Sequence, residues 1–61
     1  MMSETQILEY ATSLRQAHGP AAEAEAAKRA RELDDEGKAD EAADWRRIRA
    51  AITTMRGPGE S

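Results

Sequence analysis

At 61 residues the chain has room for one small domain, and at this length folding hides only about 60% of the surface that the unfolded chain exposes. Thirteen residues are alanine against eleven from Leu, Ile, Met, Trp and Tyr together, with no Phe, Val or Cys, so the 39% apolar fraction is thin by volume. Without cysteine there is neither a disulfide nor a thiolate metal site, which suits a reducing cytoplasm. A net charge of −3 is too mild for an acidic tail or a nucleic-acid domain. No apolar run approaches the roughly 20 residues of a membrane span, and Met1-Met2-Ser3-Glu4 lacks the pattern of a signal peptide. The expectation is a cytoplasmic protein with no membrane partner.

Breaking residues concentrate at Gly19-Pro20, at Gly37 and at Gly57-Pro58-Gly59. The segments between them are rich in Ala, Glu, Arg, Lys and Leu, and nothing alternates with period two for the length of a strand. The spacing predicts an all-α, compact antiparallel three-helix arrangement with helices near 3–18, 20–36 and 40–56, in a single domain, with a disordered tail near 57–61.

The first helix is expected to start at Ser3, where Gln6 completes a capping box. Its apolar stripe reads Ile7, Ala11, Leu14 and His18, with Leu8 on one flank and Tyr10 on the other. Gly19 ends it, and Pro20 suits the first turn of the next helix, where its missing N–H costs nothing. The second stripe, Ala22, Ala26, Ala30 and Leu33, has one large residue in four, so a neighbouring backbone is expected to approach closely. Ladders at i,i+4, Glu25–Arg29, Lys28–Glu32 and Arg31–Asp35, are expected on its other faces.

After Gly37, Asp40 is the expected N-cap of the third helix, with Glu41 in its first turn. Trp45, Ile48, Ile52 and Met55 form the strongest apolar stripe in the chain, and Gly57-Pro58 stops the helix. Trp45 is expected to be a core plug burying about 200 Å².

Two resemblances follow from these segments. Leu33-x-x-x-Gly37-x-x-x-Glu41-Ala42 resembles the inner half of a tetratricopeptide hairpin, with Ala30 at that repeat's small position. It covers about 13 residues of one repeat, where about three repeats are needed for a stable array, so it is read as shared helix-hairpin physics. Most of the chain looks like a group of short, uncharacterised bacterial proteins. The likeness rests on Ala17-His18-Gly19, on Ala22-Glu23-Ala24-Glu25-Ala26-Ala27, on the Gly37 turn and on Trp45-Arg46-Arg47-Ile48-Arg49-Ala50-Ala51-Ile52 with Arg56-Gly57-Pro58. That resemblance implies a small cytoplasmic helical protein and no particular activity.

Chemistry-bearing constellations are sparse. With Gly37 at position six of a calcium loop, Glu32, Asp34, Glu36 and Asp40 take ligand positions, but the twelfth, which needs a bidentate glutamate, is Ala43. The acidic stretch is therefore read as a solvated hairpin tip. His18 has no second histidine or cysteine to build a metal site or a catalytic pair, and no serine has an adjacent base. No cofactor, no metal and no catalysis are expected. Arg46, Arg49 and Arg56 fall on one side of the third helix beside Trp45, a pattern able to grip phosphate and stack a base.

The leading expectation is a non-enzymatic interaction or regulatory module that presents helix surface to a protein partner, through Leu8 and Tyr10, a homodimer being one form of it. The alternative is a small nucleic-acid-associated protein using the basic face of the third helix.

Overall fold

A computed structural model describes residues 1–55 in full and Arg56 in its backbone. The expected tail at 57–61 lies outside the described residues. The described chain is all-helical with no strand: α1 is Glu4–His18, α2 is Ala22–Asp35 and α3 is Ala39–Arg56. A 3-10 turn over Gly19–Ala21 joins α1 to α2 with no ordinary coil between them. The three pieces therefore form two helical runs, of which the first bends. Kept straight, residues 4–35 would extend about 48 Å, whereas the longest dimension of the molecule is 36 Å.

Each boundary has a local cause. Ser3 caps α1 through a complete capping box: its hydroxyl accepts from the Gln6 N–H at 3.2 Å, and the Gln6 side chain accepts from the Ser3 N–H at 2.9 Å. The bend sits on Gly19, whose φ of +56° is open to a residue without Cβ, followed by Pro20 inside the 3-10 turn. Pro20 thus precedes α2 rather than opening its first turn, and α2 begins at Ala22.

The far end of α2 closes in a Schellman motif. The Lys38 N–H donates to the Leu33 carbonyl at 2.8 Å, the Gly37 N–H donates to the Asp34 carbonyl at 3.0 Å, and Gly37 takes φ +78°. Because the Lys38 carbonyl already accepts from the Ala42 N–H at 2.9 Å, Lys38 stands where an N-cap would. Helix α3 therefore starts two residues earlier than a cap at Asp40 would place it, and Asp40 joins Glu41 inside its first turn instead of capping it. Both acids still face the positive helix end.

Contacts between pieces give their directions. Met2 reaches Asp44 near the start of α3, while the end of α1 shares a cleft with Ile52 and Met55, so α1 runs along α3 in the same sense. Helix α2 runs opposite to α3: Glu23 meets Thr53 and Asp34 meets Arg46. The contact between α2 and α3 is the most extensive, that between α1 and α3 is next, and α1 touches α2 least.

The α2 stripe is buried throughout, and the α1 and α3 stripes are buried in part. Ala22, Ala26, Ala30 and Leu33 of α2 are all buried, as are Ile7 and Ala11 of α1 and Ile48 and Ile52 of α3, joined by Ala42. Leu14, Trp45 and Met55 pack on the edge of this cluster, and His18 is exposed. The expected i,i+4 ladders of α2 do not form among the described residues. The pair within that helix is Arg29–Glu32, at i,i+3 and 3.5 Å, with both side chains about half exposed. Exposed pairs of this kind contribute little, roughly 0–1 kcal/mol, so long side chains pay entropy for almost no gain and spread into water.

An alanine ridge has no spare volume. Ala26→Leu should therefore lower stability by about 1–3 kcal/mol through overpacking, read as a shift of the denaturation midpoint. The exposed Ala24→Leu on the same helix should stay within about 0.5 kcal/mol. Equal effects at both positions would show that the ridge imposes no close approach.

Candidate interaction surfaces

The residues expected to meet a partner lie on α1. Leu8 is 47% exposed and Tyr10 is 51% exposed, on opposite flanks of the buried Ile7–Ala11 stripe. Their surroundings differ. The Tyr10 ring meets Trp45 edge-on, with ring centroids 5.9 Å apart and planes at 68°. Such T-shaped pairs contribute about 0.5–1.5 kcal/mol beyond area burial. Tyr10 is thereby engaged within the chain as well as exposed.

Trp45 is largely but not fully buried: it packs against the core cluster from the rim instead of filling its centre. The physical reason is rotational. Ile48 and Ile52 occupy the centre of the α3 face against alanines of α2 and Ile7 of α1. A bulky indole three residues before Ile48 is left at the rim, where Tyr10 covers one side of it.

Leu8 has no comparable aromatic cover. It sits in a shallow hollow of about 400 Å³ lined by Thr5, Leu8, Glu9, Thr12 and Ser13. The Thr12 hydroxyl donates to the Leu8 carbonyl at 2.9 Å, so its donor is satisfied inside the helix. A second, deeper cleft of about 590 Å³ lies at the bend, walled by Thr12, Arg15, Gln16, Glu23, Ile52 and Met55 beside Gly19-Pro20.

The basic face of α3 is divided. Arg46 forms a salt bridge to Asp34 across the α2–α3 contact, which places one carboxylate of the acidic hairpin tip against it. Arg49 is exposed, and its backbone carbonyl accepts the Thr53 hydroxyl at 3.1 Å. The side chain of Arg56 lies outside the described residues. The remaining acids of the tip do not converge: Glu36 pairs with Lys38 at 3.3 Å, and among the described residues no three acidic or imidazole groups gather as a metal-holding cluster.

One functional-looking group was missed by the sequence reading. Asp44 is 5% exposed, and both its carboxylate oxygens accept from the Met2 N–H at 3.3 Å. Arg47 donates to the Met2 carbonyl at 3.5 Å. Together they fasten the segment before α1 onto α3. The signal was present: Asp44 stands four residues before Ile48, on the apolar face, where a charge needs a partner. Its partner is a backbone amide 42 residues away, which no local pattern announces.

Among the described residues no helix is long and apolar enough to cross a membrane. Comparison of the chain with protein-family models, with curated proteins and with solved structures gives no match.

Two expected outcomes follow from this geometry. Trp45→Ala should cost about 1–3 kcal/mol, less than the 3–5 of a fully enclosed aromatic, and Tyr10→Ala should raise the acrylamide quenching of Trp45 fluorescence. Unchanged quenching would mean that the two rings do not meet. Asp44→Ala should speed hydrogen exchange at the Met2 amide severalfold while total stability moves by less than about 1 kcal/mol, because the loss of a long hydrogen bond offsets the relief of a buried carboxylate. An unaltered exchange rate at Met2 would refute the fastening role.

Proposed function

We propose that this chain is a non-enzymatic protein–protein interaction module, working as an antiparallel three-helix unit that offers the outer surface of α1 to another protein chain. The observation that supports the reading best is Leu8: a large apolar side chain about half exposed in a shallow hollow, while the side chains that hold the core lie on the other side of the same helix. Tyr10 flanks the surface and shares its packing with Trp45. A large apolar side chain left open in a hollow is a surface that a partner can cover and desolvate.

A regulatory role in a cytoplasmic setting, and kinship with the short bacterial helical proteins that share the Trp45–Ile52 segment, belong to the same proposal. The nucleic-acid alternative is weaker, because Arg46 of its three arginines is engaged by Asp34 and the chain is net acidic.

The test is recovery of partners by the tagged full chain from extracts of its own cells, with Leu8→Glu as the paired control. A protein that copurifies with the parent chain and is lost with Leu8→Glu, in a variant of unchanged helicity, is the expected result. A partner set identical for both chains would remove α1 as the interaction surface.

A further inference from the structure

The hollow around Leu8 has a recognisable plan. Four of its lining residues, Thr5, Leu8, Glu9 and Thr12, stand at i, i+3, i+4 and i+7 of α1. That is the diamond of four side chains into which a facing helix inserts one apolar knob. Leu8 is itself the large exposed apolar side chain of this face, so the face provides both a knob and a hole. The Thr12 hydroxyl is already bonded to the Leu8 carbonyl, so covering it leaves no donor unmet there.

Charge selects the occupant and its direction. Along α1 the acids lie in the N-terminal half, Glu4 and Glu9, and the bases lie in the C-terminal half, Arg15 and His18. Glu4, Glu9 and Arg15 are exposed, and none of them joins an ion pair among the described residues. An antiparallel copy of the same helix would set Arg15 of each chain over the acidic half of the other, twice by symmetry. A parallel copy would set like charges side by side.

Resting on the reading of α1 as the interaction surface, we propose that its partner is a second copy of this chain, docked through a two-fold antiparallel α1–α1 contact. The Leu8 of each copy sits in the Thr5–Leu8–Glu9–Thr12 hole of the other, and Arg15 faces Glu4 across the axis. A two-fold contact is isologous, so one patch serves both sides. A helix of 15 residues offers about 22 Å of contact length, which places the dimer among small, reversible interfaces. Tyr10 lies on the opposite flank, against Trp45, and takes no part.

Sedimentation equilibrium of the full chain tests this across concentrations up to about 0.5 mM, where a weak dimer of this size must be visible. The expected result is a mass that rises with concentration from 6.7 kDa toward twice that value. Leu8→Glu should abolish the rise with its circular dichroism and melting unchanged, since the side chain is half exposed. Arg15→Glu should weaken association by roughly tenfold, as two exposed ion pairs are lost, and Glu4→Arg combined with Arg15→Glu should restore much of it. A single 6.7 kDa species at every concentration overturns the second copy as partner, whereas the broader interaction reading fails separately, when Leu8→Glu leaves partner recovery unchanged. A doubled mass that persists in Leu8→Glu, or a charge reversal that does not rescue, overturns this docking geometry.

Discussion

The rest of the fold depends on how closely α3 can lie against α2. Ala22, Ala26 and Ala30 leave no side chain long enough to hold the two helices apart, so Ile48, Ile52 and Ala42 can meet the α2 face directly. Close approach substitutes for bulk: dispersion contacts add up with the number of atoms brought to optimal separation, and two near backbones supply many. Leu33, the one large member of the ridge, fills the space at the hairpin end. The polar links Glu23–Thr53 and Asp34–Arg46 then tie the rims of the same contact at both ends.

That arrangement requires two very different connections. Between α2 and α3 the chain must reverse within a few residues, and the Schellman closure at Gly37 does so while satisfying the last carbonyls of α2. Between α1 and α2 it turns at Gly19, whose φ is +56°, and goes straight on through the 3-10 turn of Gly19–Ala21. The first connection presses two helices together along their length. The second lets α1 part from α2 and lie on α3, which leaves the cleft at the bend and keeps the Leu8 side of α1 open.

Much of this was legible in the sequence because it is written at short range. The capping box at Ser3, the stop at Gly19 and the apolar stripe of each helix depend on residues within one or two turns of each other, and the buried positions agree with the stripes. What was not legible depends on distant neighbours. Trp45 belongs to the right stripe, yet its depth is set by how α1 crosses, and Tyr10 meets it from 35 positions away in the chain. The use of Asp44 is fixed by where Met2 happens to fall. The salt bridges erred for another reason: i,i+4 spacing permits a pair, but in water the gain is too small to impose one. Leu8 and Tyr10 could be marked as leftover apolar residues from the stripe alone, while the difference between a covered ring and an open hollow needed the packing.

The unequal contact between the helices has a consequence for how the molecule comes apart. Proteins open in cooperative units whose stability follows the density of their internal contacts. Here the hairpin of α2 and α3 is one such unit, closed by its own turn and by links at both ends. Helix α1 contributes Ile7 and Ala11 to the shared core, packs Leu14 at its edge and is fastened at its start by the Asp44–Met2 contact. With the fewest contacts of the three helices it is the piece expected to open first, and its buried Ile7 and Ala11 couple that opening to the core. The element with the exposed Leu8 is thus also the one with the least to lose by moving, and anything that grips α1 from outside adds directly to the cooperativity of the whole fold.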